Sequence, residues 1–389
     1  MFFDYYVDMN DDNKPVIITT DDLIKGIEDI SQYPFRVKPF LMSGIWGGQF
    51  IKKLADLPKD MVNCAWSFEP IAPENSILLG YYGTTIEIPF LIILAFTHKK
   101  IMGERIVELF GDFFPIRFDY LDTIDGGSLS CQVHPNQDYI RRHFNEFLEQ
   151  QESYYIMSNQ ENSKVSLGLT DMCEKEEFCN EILKSQTDSK PLDVKRYVNE
   201  WNSRQGDLFL IPPGTVHFSG KGNLVLEISA TTWWYTFKIY DFLRKDLDGR
   251  PRPINIEHAF NNINFGRKTE WVKSNLIPKP MPARKCGENE EYVLGRRDDC
   301  LFYVNRIHLN DMLTDNTNGE FMILNLVEGE KVRIISVENE SAYIDIEYAE
   351  AYIIPAVFGE FKLINLGKKM CKIIKAGVSL DWKVNLFNE

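Results

Sequence analysis

The sequence predicts a mainly β protein made of two β-barrels of jelly-roll type, with helices inserted into the first. Three observations predict it. The segments CLFYVNRIHL, FMILNLVEGEKVRIISV, SAYIDIEYAEAYIIPAVFGEF and CKIIKAGV follow one another at short intervals between residues 300 and 377, with the β-branched and aromatic content of strands. The 24 Gly and 18 Pro are dispersed, which suits many turns rather than a disordered tract. Residues 206–217, GDLFLIPPGTVH, read as strand, turn and strand in one line. Four regions are expected: a peripheral segment 1–30, a first β domain 31–265 that carries the chemistry, a linker 266–298, and a second β domain 299–389. The second β domain contains only His308 and no metal motif; two barrels in tandem suggest an old duplication.

Length and charge set the outer bounds. A chain of 389 residues is long enough for two domains with a substantial core. A net charge of -14 with no basic stripe argues against a nucleic-acid partner. The start, MFFDYYVDMNDDNKP, lacks the basic region of a signal peptide and meets acid at Asp4. The longest apolar run, 88–96, contains a proline and is too short for a bilayer. The seven cysteines are odd in number and scattered, Cys173 and Cys179 being closest, as in a protein with reduced thiols. A cytoplasmic protein without a membrane partner, monomeric or homodimeric, is expected.

In chain order, VIITTDDLIKGIEDI predicts a short strand and a helix capped by Thr20, with Asp21 and Asp22 at its positive end. Residues 35–54 are extended around Lys38-Pro39 and turn tightly at Trp46-Gly47-Gly48. Residues 62–71 and 76–96 read as strands or buried extended segments, and 103–111 as a short helix. A helix over 136–151 is capped by Asn136 and carries Tyr139, Ile140, His143, Phe144, Phe147 and Leu148 on one apolar face. Glu152 opens the strand ESYYIM, and helices are expected at 176–185 and 193–201. From 249 to 290 prolines and basic residues gather, which suggests a linker over the surface.

The chemistry gathers on two motifs. In residues 206–217, Gly206, Pro212, Gly214 and His217 have the spacing of the second metal motif of the cupin barrels. Pro212-Pro213 stop the first strand because proline cannot donate to a ladder, and Gly214 allows a turn with positive φ. Where cupins often carry an Asn four residues past the His, this chain has Lys221. Gly126, Gln132 and His134 have the spacing of the first cupin motif, with glutamine in place of its first histidine. On a strand Ser130, Gln132 and His134 share a face. Gln132 and His134, with Glu152 and His217, form an N₂O₂ donor set suited to Zn²⁺ or Fe²⁺ rather than to Ca²⁺ or Mg²⁺. His98, His143, His258 and His308 have no partner at ligand spacing and read as structural. Trp233 and Trp234 read as core or interface residues, with sugar stacking as the alternative.

Beyond the ligands, KPFLMSGIWGG, SCQVHP, QQESYYI, GDLFLIPPGTVHFSGKG and EIS…FKIYDFLRKDLDG together resemble the class I mannose-6-phosphate isomerases, zinc-dependent cupins, from about residue 38 to 378. The resemblance implies that Gln132, His134, Glu152 and His217 hold one Zn²⁺ per chain, with Fe²⁺ as the alternative, and that Ser130 lines the substrate site. Two positions depart from it. Gln150 stands where the family has a lysine that contacts phosphate. Lys238 stands where it has an arginine close to the reacting carbons, so Lys238 is the expected catalytic cation and, with Ser130 and Gln150, the expected substrate contact. The implied reaction is aldose–ketose isomerisation of a sugar phosphate through an enediol. The alternatives are a sugar-binding cupin that keeps its metal but has lost turnover, and an Fe(II) cupin oxygenase built on two His and a carboxylate.

Overall fold

The computed structural model describes residues 19–54, 57, 64–68, 75–81 and 84–382. The chain divides into two units, each discontinuous in sequence. One comprises Met1–Phe40, Trp66–Phe118 and Pro280–Glu389; the other comprises Leu41–Ala65 and Asp119–Lys279.

The second of these carries the candidate site. Its five-stranded sheet runs, in lateral order, Phe237–Tyr240, Cys131–Val133, His217–Ser219, Lys164–Leu169 and Val198–Asn202. A six-stranded sheet follows the order Phe40–Met42, Cys64–Phe68, Arg117–Asp122, Asn223–Ala230, Gln151–Asn159 and Leu208–Ile211. The strand pairs within these sheets that touch the site are antiparallel. Alternation along the five-stranded sheet decides what faces where. Cys131, Val133, Val216, Phe218, Phe237 and Ile239 join one apolar core with Phe178 and Ile182 of the helix Lys175–Asp188, and with Ala259 and Phe260 of the helix Ile256–Asn262. Gln132, His217 and Lys238 alternate with those residues and take the other face. The helices therefore cap one side of the sheet, and the polar row looks toward the second sheet.

The other unit contains a six-stranded sheet, Met281–Cys286, Asn289–Gly295, Phe302–Leu309, Cys371–Val378, Met322–Glu328 and Ala351–Ile354, and a four-stranded one, Met312–Asn316, Glu360–Asn365, Lys331–Ser336 and Tyr343–Glu347. Leu309, Leu324, Leu326, Ile334, Phe361, Leu363 and Ile373 are buried in its core. The helices Thr20–Ile30, Phe90–Met102 and Glu104–Phe110 and a hairpin of Ser76–Tyr81 with Thr84–Pro89 belong to this unit.

Several expected elements differ. Residues 90–96 are not extended: they begin the helix Phe90–Met102, which buries Phe90, Ile93, Leu94, Thr97 and Ile101 at helical spacing. A run apolar on nearly every residue carries no period, so strand and helix look alike in it. Residues 193–201 are not a helix but a 3₁₀ turn, Val194–Arg196, and the edge strand Val198–Asn202. Pairing of that strand with Lys164–Leu169 outweighs its local propensity. The helix after Asn136 is shorter than expected, Gln137–Phe144, because Asn145 turns into the left-handed region at φ 54°. Its first turn is capped as expected, Asn136 Oδ1 accepting from Tyr139 N at 3.0 Å. The first helix is capped by Thr19 rather than Thr20, in a capping box with Asp22. Residues 266–298, expected to be a linker, contain the helix Thr269–Asn275 and the hairpin of Met281–Cys286 with Asn289–Gly295. A short helix, Phe50–Leu54, went unpredicted. The strand expected around 16–19 and the outer parts of 62–71 lie largely outside the described residues.

Candidate metal centre

The two motifs meet across a single lateral row. His217 is the register partner of Gln132, and Gln132 is the register partner of Lys238 on its other side. Paired residues of antiparallel strands project from the same face, so the three side chains stand in line. Glu152 reaches them from the other sheet, between register partners Ile211 and Ser229. The turn that delivers His217 needs glycine: Gly214 has φ +83°, and a Cβ there would stand 2.9 Å from the Asn262 carbonyl oxygen. Gly214 N also donates to the His134 carbonyl at 2.9 Å, tying the two motifs together through the backbone. Lys221 is exposed, and two residues on the Asn223 amide donates to Ser219 Oγ at 3.2 Å and Lys164 O at 3.0 Å.

His134, Glu152 and His217 are each under 5% exposed, and their ligand atoms all lie within 4.8 Å of one another. His134 Nδ1 donates to the Tyr235 carbonyl at 2.9 Å, and His217 Nδ1 donates to the Thr215 carbonyl at 2.9 Å. A carbonyl can only accept, so both Nδ1 atoms carry hydrogen and both neutral rings turn a bare Nε2 lone pair inward. Those nitrogens lie 2.9 Å from Glu152 Oε1 and 3.3 Å from Oε2 respectively. His134 Nε2 and Glu152 Oε2 are buried without a hydrogen-bond partner. Two ring lone pairs facing a carboxylate in a dry site repel one another unless a cation sits among them. Burial would raise the Glu152 carboxyl; positive charge and N–H donation from His134 and His217 outweigh it and hold the group well below the usual range, and with both rings neutral a bound cation would supply that charge. Burial pushes the His217 imidazole down, against the pull of Glu152. A neutral His pair with an ionised carboxylate is the donor chemistry of a transition-metal site, and the residues fit one.

Gln132 is at the centre, with its Nε2 3.2 Å from His217 Nε2; service as an oxygen ligand requires the amide to turn over. Ser130 is nearby but committed: its hydroxyl donates to Asp241 Oδ1 at 2.9 Å, which leaves it only acceptor lone pairs. Asp241 in turn binds Arg244 and, at 3.1 Å, Arg252 Nε. Lys238 is half-buried and makes no ion pair among the described residues; burial, and next the Arg252 charge, lower its pKa. Gln150, expected at the substrate, is 3% exposed and spends both ends of its amide on the protein. Among the residues missed by the sequence reading, Tyr235 acts through its backbone, which leaves no side-chain signature. Asp241 is visible only as the Asp of FKIYD.

The histidines set aside as structural make other contacts. His143 stacks on Tyr139 at 4.1 Å, and His258 Nδ1 lies 2.7 Å from the Tyr139 hydroxyl. Trp233 is 46% exposed and its ring centroid lies 5.1 Å from that of Trp234. A cavity of about 540 Å³ in the other unit, lined by Ile30, Tyr33, Leu78 and Tyr343 among others, contains none of the candidate site residues.

A jelly roll with a buried histidine–carboxylate–histidine cluster between its two sheets is the architecture of a metal-site cupin. No protein-family model matches the chain. It is 27% identical over 334 residues to mannose-6-phosphate isomerase ManA of Bacillus subtilis (strain 168), which covers 85% of this chain and 95% of that protein. Mannose-6-phosphate isomerase of Streptococcus mutans is 29% identical over 236 residues, 60% of this chain and 69% of that one. Among solved structures, the mannose 6-phosphate isomerase from Bacillus subtilis superposes with a TM-score of 0.71 at 21% identity, covering 89% of this chain and 99% of its own. A zinc-bound mannose 6-phosphate isomerase gives 0.65 at 14% identity, covering 89% and 100%. Over most of its length the chain is thus similar to mannose-6-phosphate isomerases in sequence, and it shares the fold of their solved structures.

Proposed function

We propose that the chain is a zinc-dependent aldose–ketose isomerase acting on a hexose phosphate of the mannose 6-phosphate/fructose 6-phosphate type. The reading rests on one observation above the rest: two inward Nε2 atoms and an ionised carboxylate converge, partly unpartnered, in a chain related over most of its length to such isomerases. His134, Glu152 and His217 are the proposed ligands, with Gln132 as the fourth once its amide turns. Bound Zn²⁺ supplies Lewis acidity toward the sugar oxygens.

The remaining work falls to side chains of the chain. Lys238, in line with Gln132 and His217, places a positive charge where negative charge develops as the C–H proton leaves the sugar. As a point charge it lacks the fork of a guanidinium and holds one oxygen at a time. Ser130, its hydrogen given to Asp241, accepts from a sugar hydroxyl and does not donate to a phosphate. The buried walls exclude water from the reacting carbons. The six cysteines with described side chains are not in disulfides, which fits a reducing compartment; the cytoplasm is the proposed location.

The test is an isomerase assay of the zinc-loaded protein on mannose 6-phosphate, free mannose and other hexose phosphates. Interconversion that disappears on chelation and returns with Zn²⁺ is the expected result. The changes at Lys238 and Gln150 favour a second reading, a sugar-binding protein without turnover. Tight sugar binding with no isomerisation of any of these substrates would decide for it.

A further inference from the structure

Position 150 is where the related enzymes would put a lysine on the substrate, yet here the side chain has no atom to spare. Gln150 Oε1 accepts from Tyr235 N at 2.7 Å, and its Nε2 donates to Glu152 Oε1 at 2.5 Å. Only one orientation of the amide satisfies both bonds, because the backbone N–H cannot accept and the carboxylate cannot donate. The same Tyr235 accepts from His134 Nδ1 on its carbonyl, which leaves the bare His134 Nε2 facing Glu152 Oε1 at 2.9 Å. Gln150, Glu152, His134 and Tyr235 therefore form a ring of three hydrogen-bonded links with one gap, where a cation would sit, buried at every member.

We propose that Gln150 is a positioning residue of the metal centre: it fixes the Glu152 carboxylate directly and the His134 ring through Tyr235, and it does not touch the substrate. This inference rests on the metal-site reading above. With Oε1 of Glu152 held by the amide, Oε2 is the oxygen left without a hydrogen-bond partner. A lysine at 150 could still donate to Glu152 but has no acceptor for the Tyr235 N–H, so it would open the ring on one side. A methionine there matches the volume and opens both sides. Groups that hold ligands in this way typically change metal affinity by about ten- to a hundredfold when removed.

The experiment titrates Zn²⁺ against a competing chelator, and records the visible spectrum of the Co²⁺ form, for the parent, Gln150→Met and Gln150→Lys. Hydrogen exchange at the Tyr235 amide follows the second bond without any metal. Affinity about tenfold or more weaker in both variants, a changed Co²⁺ spectrum and faster Tyr235 exchange are expected, with KM for the sugar unaffected once the metal is saturating. Unchanged affinity and spectrum in the variants, with KM alone raised, would overturn the inference by making Gln150 a substrate contact. A lowered melting temperature with unchanged affinity would overturn it too, leaving a purely structural role. A parent protein that takes up no Zn²⁺ would overturn both this inference and the metal-site reading, so the two failures are told apart by the parent alone.

Discussion

His134 and His217 each give one ring nitrogen to a backbone carbonyl, which commits the other to the space beside Glu152. Replacing either by alanine should therefore take bound metal from about one ion per chain to near none, measured by elemental analysis after gel filtration. Full occupancy in both variants would place the metal elsewhere. A different histidine offers a pH test. His308 Nε2 accepts from Arg306 Nε at 3.0 Å, and its pKa is lowered to about 4 by burial, then by Arg306 and Lys372, with Glu290 and Glu328 opposing. The unfolded chain takes up this proton near 6.5 and the folded one only near 4, so the contribution is whole above about 6.5 and is lost as pH falls toward 4. The melting temperature of the parent should thus drop more between pH 7 and 5 than that of His308→Gln; equal drops would remove His308 from the account. At this scale the sequence was legible where chemistry forces spacing. Gln132 lies on the strand Cys131–Val133 with Ser130 and His134 flanking it, and His217 follows its proline–glycine turn. It was silent where the partner is a main-chain atom about a hundred residues away, as Tyr235 is to His134 and to Gln150. Gln150 was read as a substrate contact, and the positioning role proposed above is the alternative that the Zn²⁺ titration tests.

The turn at 212–214 shows an element fixed by local rules. Proline ends the strand, glycine takes φ +83°, and the next residues return His217 to the sheet. Gly214→Ala should cost about 1–3 kcal/mol from backbone strain alone, with further loss as the Asn262 carbonyl is pushed away. Thermal unfolding checks the cost, and a variant as stable as the parent with undiminished metal content would contradict it. Such turns are readable because few residues tolerate their geometry. The elements misread were those whose conformation is settled from outside. Val198–Asn202 becomes a strand because the edge of Lys164–Leu169 awaits it, and Phe90–Met102 becomes a helix although nearly every residue of its first half is apolar. Binary pattern carries no period in such a window.

For the whole molecule, the sequence divided the chain along its length, whereas the contacts divide it into interleaved pieces. Within the unit that holds both ends, Phe114 packs on Phe321 at 4.4 Å, Arg105 Nη2 donates to Glu320 Oε2 at 2.8 Å, and Phe35 bridges to Ile353. A chain stopped after Arg297 keeps the first member of each pair and loses the second, so it should be insoluble through its uncovered apolar surface. A soluble, metal-loaded fragment with ordinary melting would show that these contacts are dispensable. The same interleaving sets a timetable for a newborn chain. The ribosome delivers Phe114 about 200 residues before Phe321, a delay of about 10–40 s at ordinary elongation rates. Over that interval the apolar face of Phe90–Met102 waits, while the unit that carries the two histidines has all of its segments by residue 279. The metal centre can thus be assembled while the last 110 residues, all of them in the other unit, are still being translated.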